Sequence, residues 1–359
     1  MKILHTADIH LRAIDDERWN ALVSLIELGK SEQVDVIAVA GDLFNSGADA
    51  DTIRAELRGL FSNNSFKILL LPGNHDQAVY EGGRYFGDDA VVMNDVSKPF
   101  TFEDVCIWGL PYIPAGSEEV LRTLRSFKEL LDTKNSHILL YHGELIDAFF
   151  SRLDFGEEGA GRYMPLRLSY FNGLDFTYVL AGHFHTRFDV RSLPNGGFFI
   201  YPGSPVSISS RETGRRKVNI FEVGRSPEGR TIGTSFYEEV VVALNPSDKQ
   251  KPVERVSRIL DTMTPDQKLL LTVKGYFHGE ECSTNETQLT EEIRRLIRGK
   301  IVTFTPLYKD IRNILDDDLF SMFLKKLNKG RFGENKKEQL YNTAVQAMIN
   351  ASLRQQDQG

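Results

Sequence analysis

Nine polar side chains stand where short apolar runs of the chain end. Asp8 and His10 follow Lys2 to Ala7, and Asp42 closes the run that begins at Asp35. Asn74, His75 and Asp76 follow Phe66 to Leu71 and a Pro72-Gly73 stop. His142 closes His137 to His142, and His183 and His185 follow Phe176 to Ala181. In Asp8-x-His10 and His183-x-His185 a spacing of two puts both side chains on one face of an extended backbone, within reach of one metal ion. A divalent ion takes about four to six ligands. Asp8, His10, Asp42, Asn74, His142, His183 and His185 offer seven, too many for one centre. Imidazole, carboxylate and amide oxygen together suit Mn, Fe or Zn rather than Ca. Two such ions about 3.5–4 Å apart, bridged by a carboxylate, clamp a phosphoryl group and activate a water for in-line attack. Asp42, on the second run, is the natural bridge. Singly, Asp8 reads as a loop cap, Asp42 as a turn residue and His142 as a core histidine. Five run ends doing the same thing together do not read as packing.

The elements that must position these groups are strands. Lys2 to Asp8, Asp35 to Asp42 and Phe66 to Leu71 are nearly all apolar, as strands buried on both faces are. Helical spacing over Asp16 to Lys30 and Asp49 to Phe61 separates them. That alternation predicts parallel βαβ units, with ligands at the carboxyl ends of the strands. Val105 to Leu110, a helix over Ser117 to Asp132 capped by Ser117, His137 to His142, Phe176 to Ala181 and Phe198 to Tyr201 continue the pattern. Gly143 to Pro165, carrying Phe149, Phe150 and Phe155, reads as a mobile lid or binding loop. Lys217 to Val223 alternates like an antiparallel partner, and Gly224 to Gly233 carries turn residues. Strand, helix, strand, helix and strand over Phe236 to Phe304 make a small α+β module without polar strand ends. From Asp316 the chain reads as two helices separated by Gly330 and Gly333, with Gln355 to Gly359 frayed.

The composition is that of a soluble globular protein, with 359 residues, 41% hydrophobic and 26% charged. No apolar run is long enough to cross a bilayer, and the start reads as a strand rather than a signal peptide. Cys106 and Cys282 read as unpaired thiols of a cytoplasmic protein. A net charge of −7 argues against a protein that coats nucleic acid, but not against an enzyme that cuts it.

The order Asp8-x-His10, Gly41-Asp42, Gly73-Asn74-His75-Asp76, His142, Gly182-His183-x-His185 resembles the calcineurin-like metallophosphoesterases over roughly the first 225 residues. Within them the chain looks most like the SbcD/Mre-type DNA-repair nucleases, in the opening Lys2 to Leu11, in Gly41-Asp42-Leu43-Phe44 and in Tyr201-Pro202-Gly203-Ser204. The resemblance implies an α/β fold: a four-layered α/β/β/α sandwich over residues 1–232, an α+β capping, DNA-binding domain over 233–306 and a C-terminal helical segment over 307–359. It implies that Asp8, His10, Asp42 and His185 hold one ion and Asp42, Asn74, His142 and His183 the other. His75 matches the histidine that protonates the leaving oxygen or stabilises the transition state, and Asp76 would orient its ring.

The activity so implied is that of a Mn2+-dependent DNA exonuclease of double-strand break repair, with endonuclease action open. The implied partners are DNA and a coiled-coil ABC/SMC-type ATPase gripped by the closing helices. Dimerisation is common in the resembled family and leaves no readable mark. Asn45 departs from the pattern, since many members carry a histidine there facing the DNA backbone. Asn45, Arg211, Arg215 and Arg216, with Lys217 and the Arg294, Arg295, Arg298 and Lys300 group, are the candidates for DNA contact. Two other readings stay open: a phosphoesterase acting on small nucleotides or phosphoproteins, and a scaffold that has lost catalysis.

Overall fold

The computed structural model describes residues 1–147, 163–246, 248, 250–312 and 318–356. The chain divides into two compact units, Met1–Glu238 and Glu239–Gly359. Most of the expected lid, with Phe149, Phe150 and Phe155, lies outside the described residues.

In chain order the first unit holds β1 (Lys2–Thr6), α1 (Glu17–Ser31), β2 (Val36–Ala40), α2 (Gly47–Leu60), β3 (Lys67–Leu71) and β4 (Ala90–Val92). There follow β5 (Phe100–Phe102), β6 (Val105–Leu110), α3 (Ser117–Ser126), β7 (Ser136–His142), β8 (Phe176–Gly182), β9 (Asp189–Ser192), β10 (Phe198–Tyr201), β11 (Lys217–Glu222) and β12 (Gly229–Thr231). These strands make two six-stranded sheets, ordered β12-β11-β1-β2-β3-β4 and β5-β6-β7-β8-β10-β9. β1 to β4 are parallel in the first sheet, as are β6, β7, β8 and β10 in the second. β11 pairs antiparallel with β1, as its alternation predicted, and the turn residues from Gly224 lead into β12, which pairs antiparallel with β11.

Helix starts follow local chemistry. The Asp16 carboxylate accepts from the N–H groups of Arg18 and Trp19, and the Ser46 hydroxyl from Asp49. α3 departs from expectation: Gly116 is its N-cap, without a side-chain cap, and Ser117 is already helical. That helix also ends at Ser126 and passes into a 3-10 turn over Phe127–Glu129.

Three cores separate the layers. Ile26, Val39, Leu57 and Leu70 pack α1 and α2 on one face of the first sheet. Ile3, Val36, Leu69, Ile138, Leu140 and Leu180 fill the space between the sheets. Val120, Leu124, Leu139 and Val179 pack α3 on the outer face of the second sheet. The unit is therefore an α/β/β/α sandwich. The carboxyl ends of β1, β2, β3, β7 and β8 are the ends that carry the polar groups.

β13 (Phe236–Leu244) crosses into the second unit, which adds α4 (Pro252–Asp261), β14 (Gln267–Phe277), α5 (Gly279–Cys282), α6 (Glu286–Leu296) and β15 (Val302–Asp310). Val256, Leu260, Leu271, Leu289 and Ile293 form its core. β15 runs well past the expected Phe304, parallel to β14 throughout. The closing helices are α7 (Asp318–Lys329) and α8 (Glu334–Gln356). Phe320 and Val345 bury one apolar face of this pair on Ile311, so part of it packs on the chain itself.

Candidate metal centre

The loops after β1 and β2 are zipped together by backbone bonds. Asp8 N donates to Gly41 O at 3.1 Å, and Ile9 N and His10 N both donate to Asp42 O at 3.0 Å. The price is a tight backbone: Asp8, His10, Asp42 and His183 have φ of 55°, 51°, 51° and 93°. A non-glycine residue is uncommon there, and such strain concentrates at functional sites. Two glycines make room. A Cβ on Gly41 would strike the His142 ring, and one on Gly73 would strike the Asp42 carboxylate.

This geometry brings the expected ligands together. His185 Nε2 lies 3.7 Å from Asp8 Oδ1 and 3.4 Å from His10 Nε2. Asp42 Oδ2 lies 3.8 Å from His10 Nε2 and 3.2 Å from His142 Nε2. His142 Nε2 is 2.8 Å from Asn74 Oδ1. The His183 N–H donates to both Asp8 oxygens, at 2.9 and 3.0 Å, and its ring centroid is 5.3 Å from that of His142. Asp42 stands between the groups: its Oδ1 accepts from His75 N at 3.0 Å, and its buried Oδ2 has no hydrogen bond of good geometry.

The donor set fits divalent cations on its own chemistry. His142 Nδ1 is 2.9 Å from the Ala40 carbonyl, which only accepts, so Nδ1 carries the hydrogen. The Nε2 lone pair then faces two more acceptors, Asn74 Oδ1 and Asp42 Oδ2. Buried acceptors converging on one point need a cation among them. Burial opposes protonation of His142, but Asp42 and then Asp8 outweigh it and raise its pKa to about 10. Burial works to raise Asp42 too, but His142, His10 and His75 outweigh it and hold the carboxyl below its usual range. Burial lifts Asp8 to about 6, with Asp42 adding to the push and the two histidines His185 and His142 opposing it. Asp8, His10 and His185 form one group able to hold an ion; Asp8, Asp42 and His142 form another; His10, Asp42 and His75 form a third.

His75 is half-buried beside this cluster, its ring centroid 4.8 Å from that of His10. Its Nδ1 is 3.2 Å from the Asn45 carbonyl, so it donates there. The expected contact between Asp76 and the His75 ring is absent. Asp76 Oδ1 accepts from Gly73 N at 2.8 Å, and Oδ2 from Phe44 N and Tyr80 Oη at 3.1 Å each. Asp76 thus ties the β3 loop to the β2 loop. Burial, then the charge of Asp42, lifts its carboxyl to about 7. The Asn45 side chain accepts from Arg12 Nη2 at 3.1 Å and donates to Asp49 at 3.2 Å.

Of the arginines expected to face substrate, Arg211 and Arg215 are exposed, the latter over the Phe236 ring at 5.0 Å. Arg216 is not on the surface. It is 2% exposed and its guanidinium donates to the carbonyls of His185, Thr186, Ser204 and Glu212. Sequence reasoning missed Arg12, and Arg18, whose Nη1 donates to His10 O at 2.8 Å. It also missed Glu212, buried 3.5 Å from His185. Arg12 and Glu212 lie in charged stretches with no periodicity to mark them, and the helical spacing that holds Arg18 marks only the apolar face of α1.

The chain belongs to the calcineurin-like phosphoesterases, a family that matches residues 1–187 and whose members bind two divalent metals. It is similar to the SbcD subunit of the nuclease SbcCD from Staphylococcus saprophyticus, 27% identical over 245 residues, 60% of this chain and 64% of that relative. It is also similar to the DNA double-strand break repair protein Mre11 of Saccharolobus solfataricus, 24% identical over 225 residues, 57% of this chain and 54% of that one. The chain therefore spans less than two thirds of the length of either relative. Among solved structures it is similar to TT1561 of Thermus thermophilus, with a TM-score of 0.42 and 15% identity over 64% of this chain and 98% of that one. A dimetal phosphatase from Danio rerio has a TM-score of 0.42 and 12% identity over 64% and 96%.

Proposed function

We propose that this chain is a Mn2+-dependent DNA nuclease, an exonuclease with endonuclease action left open, serving double-strand break repair in the cytoplasm. The observation that carries it is the placement of Asp42 between His10 and His142, with Oδ2 open to both. The names of the two curated relatives supply the substrate class. Asp8, His10, Asp42 and His185 would hold one divalent ion, and Asp42, Asn74, His142 and His183 the other. Such a pair, when bound, supplies Lewis-acid charge and an activated water. The protein's own part is positional. The zipped loops fix the carboxylates, and the Asn45 carbonyl aims His75 so that its Nε2 can serve the departing oxygen.

Exposed Arg211 and Arg215 would steer the phosphate backbone, as would Arg294, Arg295 and Arg298 at the end of α6. Arg216 has no such part. The module of the second unit would act as the capping, DNA-binding domain. Leu319, Met322 and Phe332 are exposed on and beside α7, which suits docking of a coiled-coil ATPase. A second copy of the chain is a further partner in this reading. Among the described residues no helix is long and apolar enough to cross a membrane.

The test is to incubate the chain with end-labelled duplex and single-stranded DNA and Mn2+. Cleavage that disappears in Asp42→Ala is expected. Intact DNA alongside rapid turnover of a small phosphomonoester would overturn the nuclease reading in favour of a phosphatase.

A further inference from the structure

Glu212 is a buried carboxylate with no part in the chemistry above. It is 1% exposed and lies on the segment after β10. Its Oε2 accepts from Ile208 N at 2.8 Å and its Oε1 from Ser209 Oγ at 3.3 Å. Oε1 is also 3.5 Å from Nδ1 of His185, at ion-pair distance but without the alignment of a hydrogen bond. The other nitrogen of that ring, Nε2, faces Asp8 and His10. One ring nitrogen thus looks at a carboxylate and the other at the candidate metal position. In that arrangement the carboxylate decides which nitrogen carries the hydrogen.

The backbone around the pair is fixed as well. Arg216 donates to the carbonyls of both His185 and Glu212, and to those of Thr186 and Ser204. Ser204 N in turn donates to His185 O at 3.0 Å. One buried guanidinium therefore holds the carboxylate and the imidazole on a common frame. The 207–212 turn is closed without His185: the Glu212 carboxylate accepts from Ile208 N and Ser209 Oγ, its N–H donates to Ser209 O, and its carbonyl accepts from Ser207 Oγ. The approach to His185 is additional.

We propose that Glu212 is the positioning residue of the metal centre, holding the His185 imidazole with its hydrogen on Nδ1 and its lone pair on Nε2. The proposal rests on the two-metal reading, since it gives Nε2 a metal to face. Glu212→Gln keeps the shape and replaces the acceptor facing His185 with an amide that can turn its NH2 towards Nδ1.

The experiment uses the full chain, 15N-labelled and metal-free at mildly alkaline pH. Long-range proton–nitrogen spectra report each imidazole tautomer, and His185 is assigned by the signal missing in His185→Gln. The wild type is expected to carry the hydrogen on Nδ1, and Glu212→Gln to move it to Nε2. Calorimetric titration with Mn2+ should then show one of two sites weakened about 10- to 100-fold in Glu212→Gln. A wild-type His185 protonated on Nε2 overturns the proposal. So does a Glu212→Gln protein that melts earlier but keeps tautomer and affinity, because Glu212 would then only close its turn. If the glutamine variant does not fold, the wild-type tautomer decides alone. Failure of the wild type to bind two ions would sink the two-metal reading separately, with the tautomer still measured.

Discussion

Nε2 of His142 lies 3.2 Å from Oδ2 of Asp42, and the two residues come from different sheets. His142 ends β7 in one sheet, and Asp42 follows β2 in the other. Their approach depends on Gly41, whose φ of +92° and missing Cβ leave space for the imidazole. The sandwich and the site are therefore coupled at this point. Whatever separates the sheets here also opens the cluster.

Gly41→Ala should accordingly cost far more than an ordinary substitution. It forces a side chain into the left-handed region and drives a methyl into His142, for a loss of about 3 kcal/mol or more in urea denaturation. Gly82→Ala is the control: its φ is +74° but nothing lies within 4 Å of the added carbon. That variant should lose only about 1 kcal/mol, the conformational part alone. Equal losses for the two would show that the His142 contact does not matter.

The arginine cluster should separate into two behaviours. Arg216→Ala leaves several buried carbonyls without a donor and should lower stability by about 2–4 kcal/mol. Arg211→Ala and Arg215→Ala should change stability by about 0.5 kcal/mol or less while weakening DNA binding and flattening its salt dependence. Thermal unfolding and DNA titrations at several salt concentrations measure both. Normal stability in Arg216→Ala would contradict the buried clamp.

His5 predicts a pH effect. It lies on the inter-sheet face with Ile3, opposite Ala38 and Asn219, and is fully buried. Its ring nitrogens have no hydrogen bond of good geometry, with Ala181 near but poorly aligned. Burial lowers its pKa from 6.5 to about 3. The folded state therefore keeps it neutral while the unfolded chain binds a proton below pH 6.5. The stability it contributes is complete above that pH and falls as pH drops towards about 3, by about 2 kcal/mol at pH 5. His5→Leu should flatten this part of the stability profile of the metal-free protein. Identical slopes for wild type and variant would contradict it.

The central strands were legible because both their faces are buried, so Val36 to Ala40 and Ile68 to Leu71 read as unbroken apolar runs. The edge strands β4, β5 and β9 were not. Asp189–Ser192 is short, polar and largely exposed, and only its pairing with β10 makes it a strand. The candidate ligands could be read because both sheets present them at the carboxyl ends of their strands. Adjacent residues were harder. Arg215 and Arg216 differ by one position yet face solvent and core, and Asp76 turns away from the neighbouring His75. A charge run or a contiguous motif does not say which way each side chain points. Glu212 left no mark because a single acid within a basic stretch reads as a surface residue.

Anomalous diffraction from crystals of the chain grown with Mn2+ would locate any bound ions outright. Two peaks are expected, one among Asp8, His10 and His185, the other among Asn74, His142 and His183, with Asp42 touching both. Asp42→Ala should lose the pair. A single peak, no peak, or two peaks that leave Asp42 untouched would contradict the shared-carboxylate centre, and the nuclease reading would fall with it.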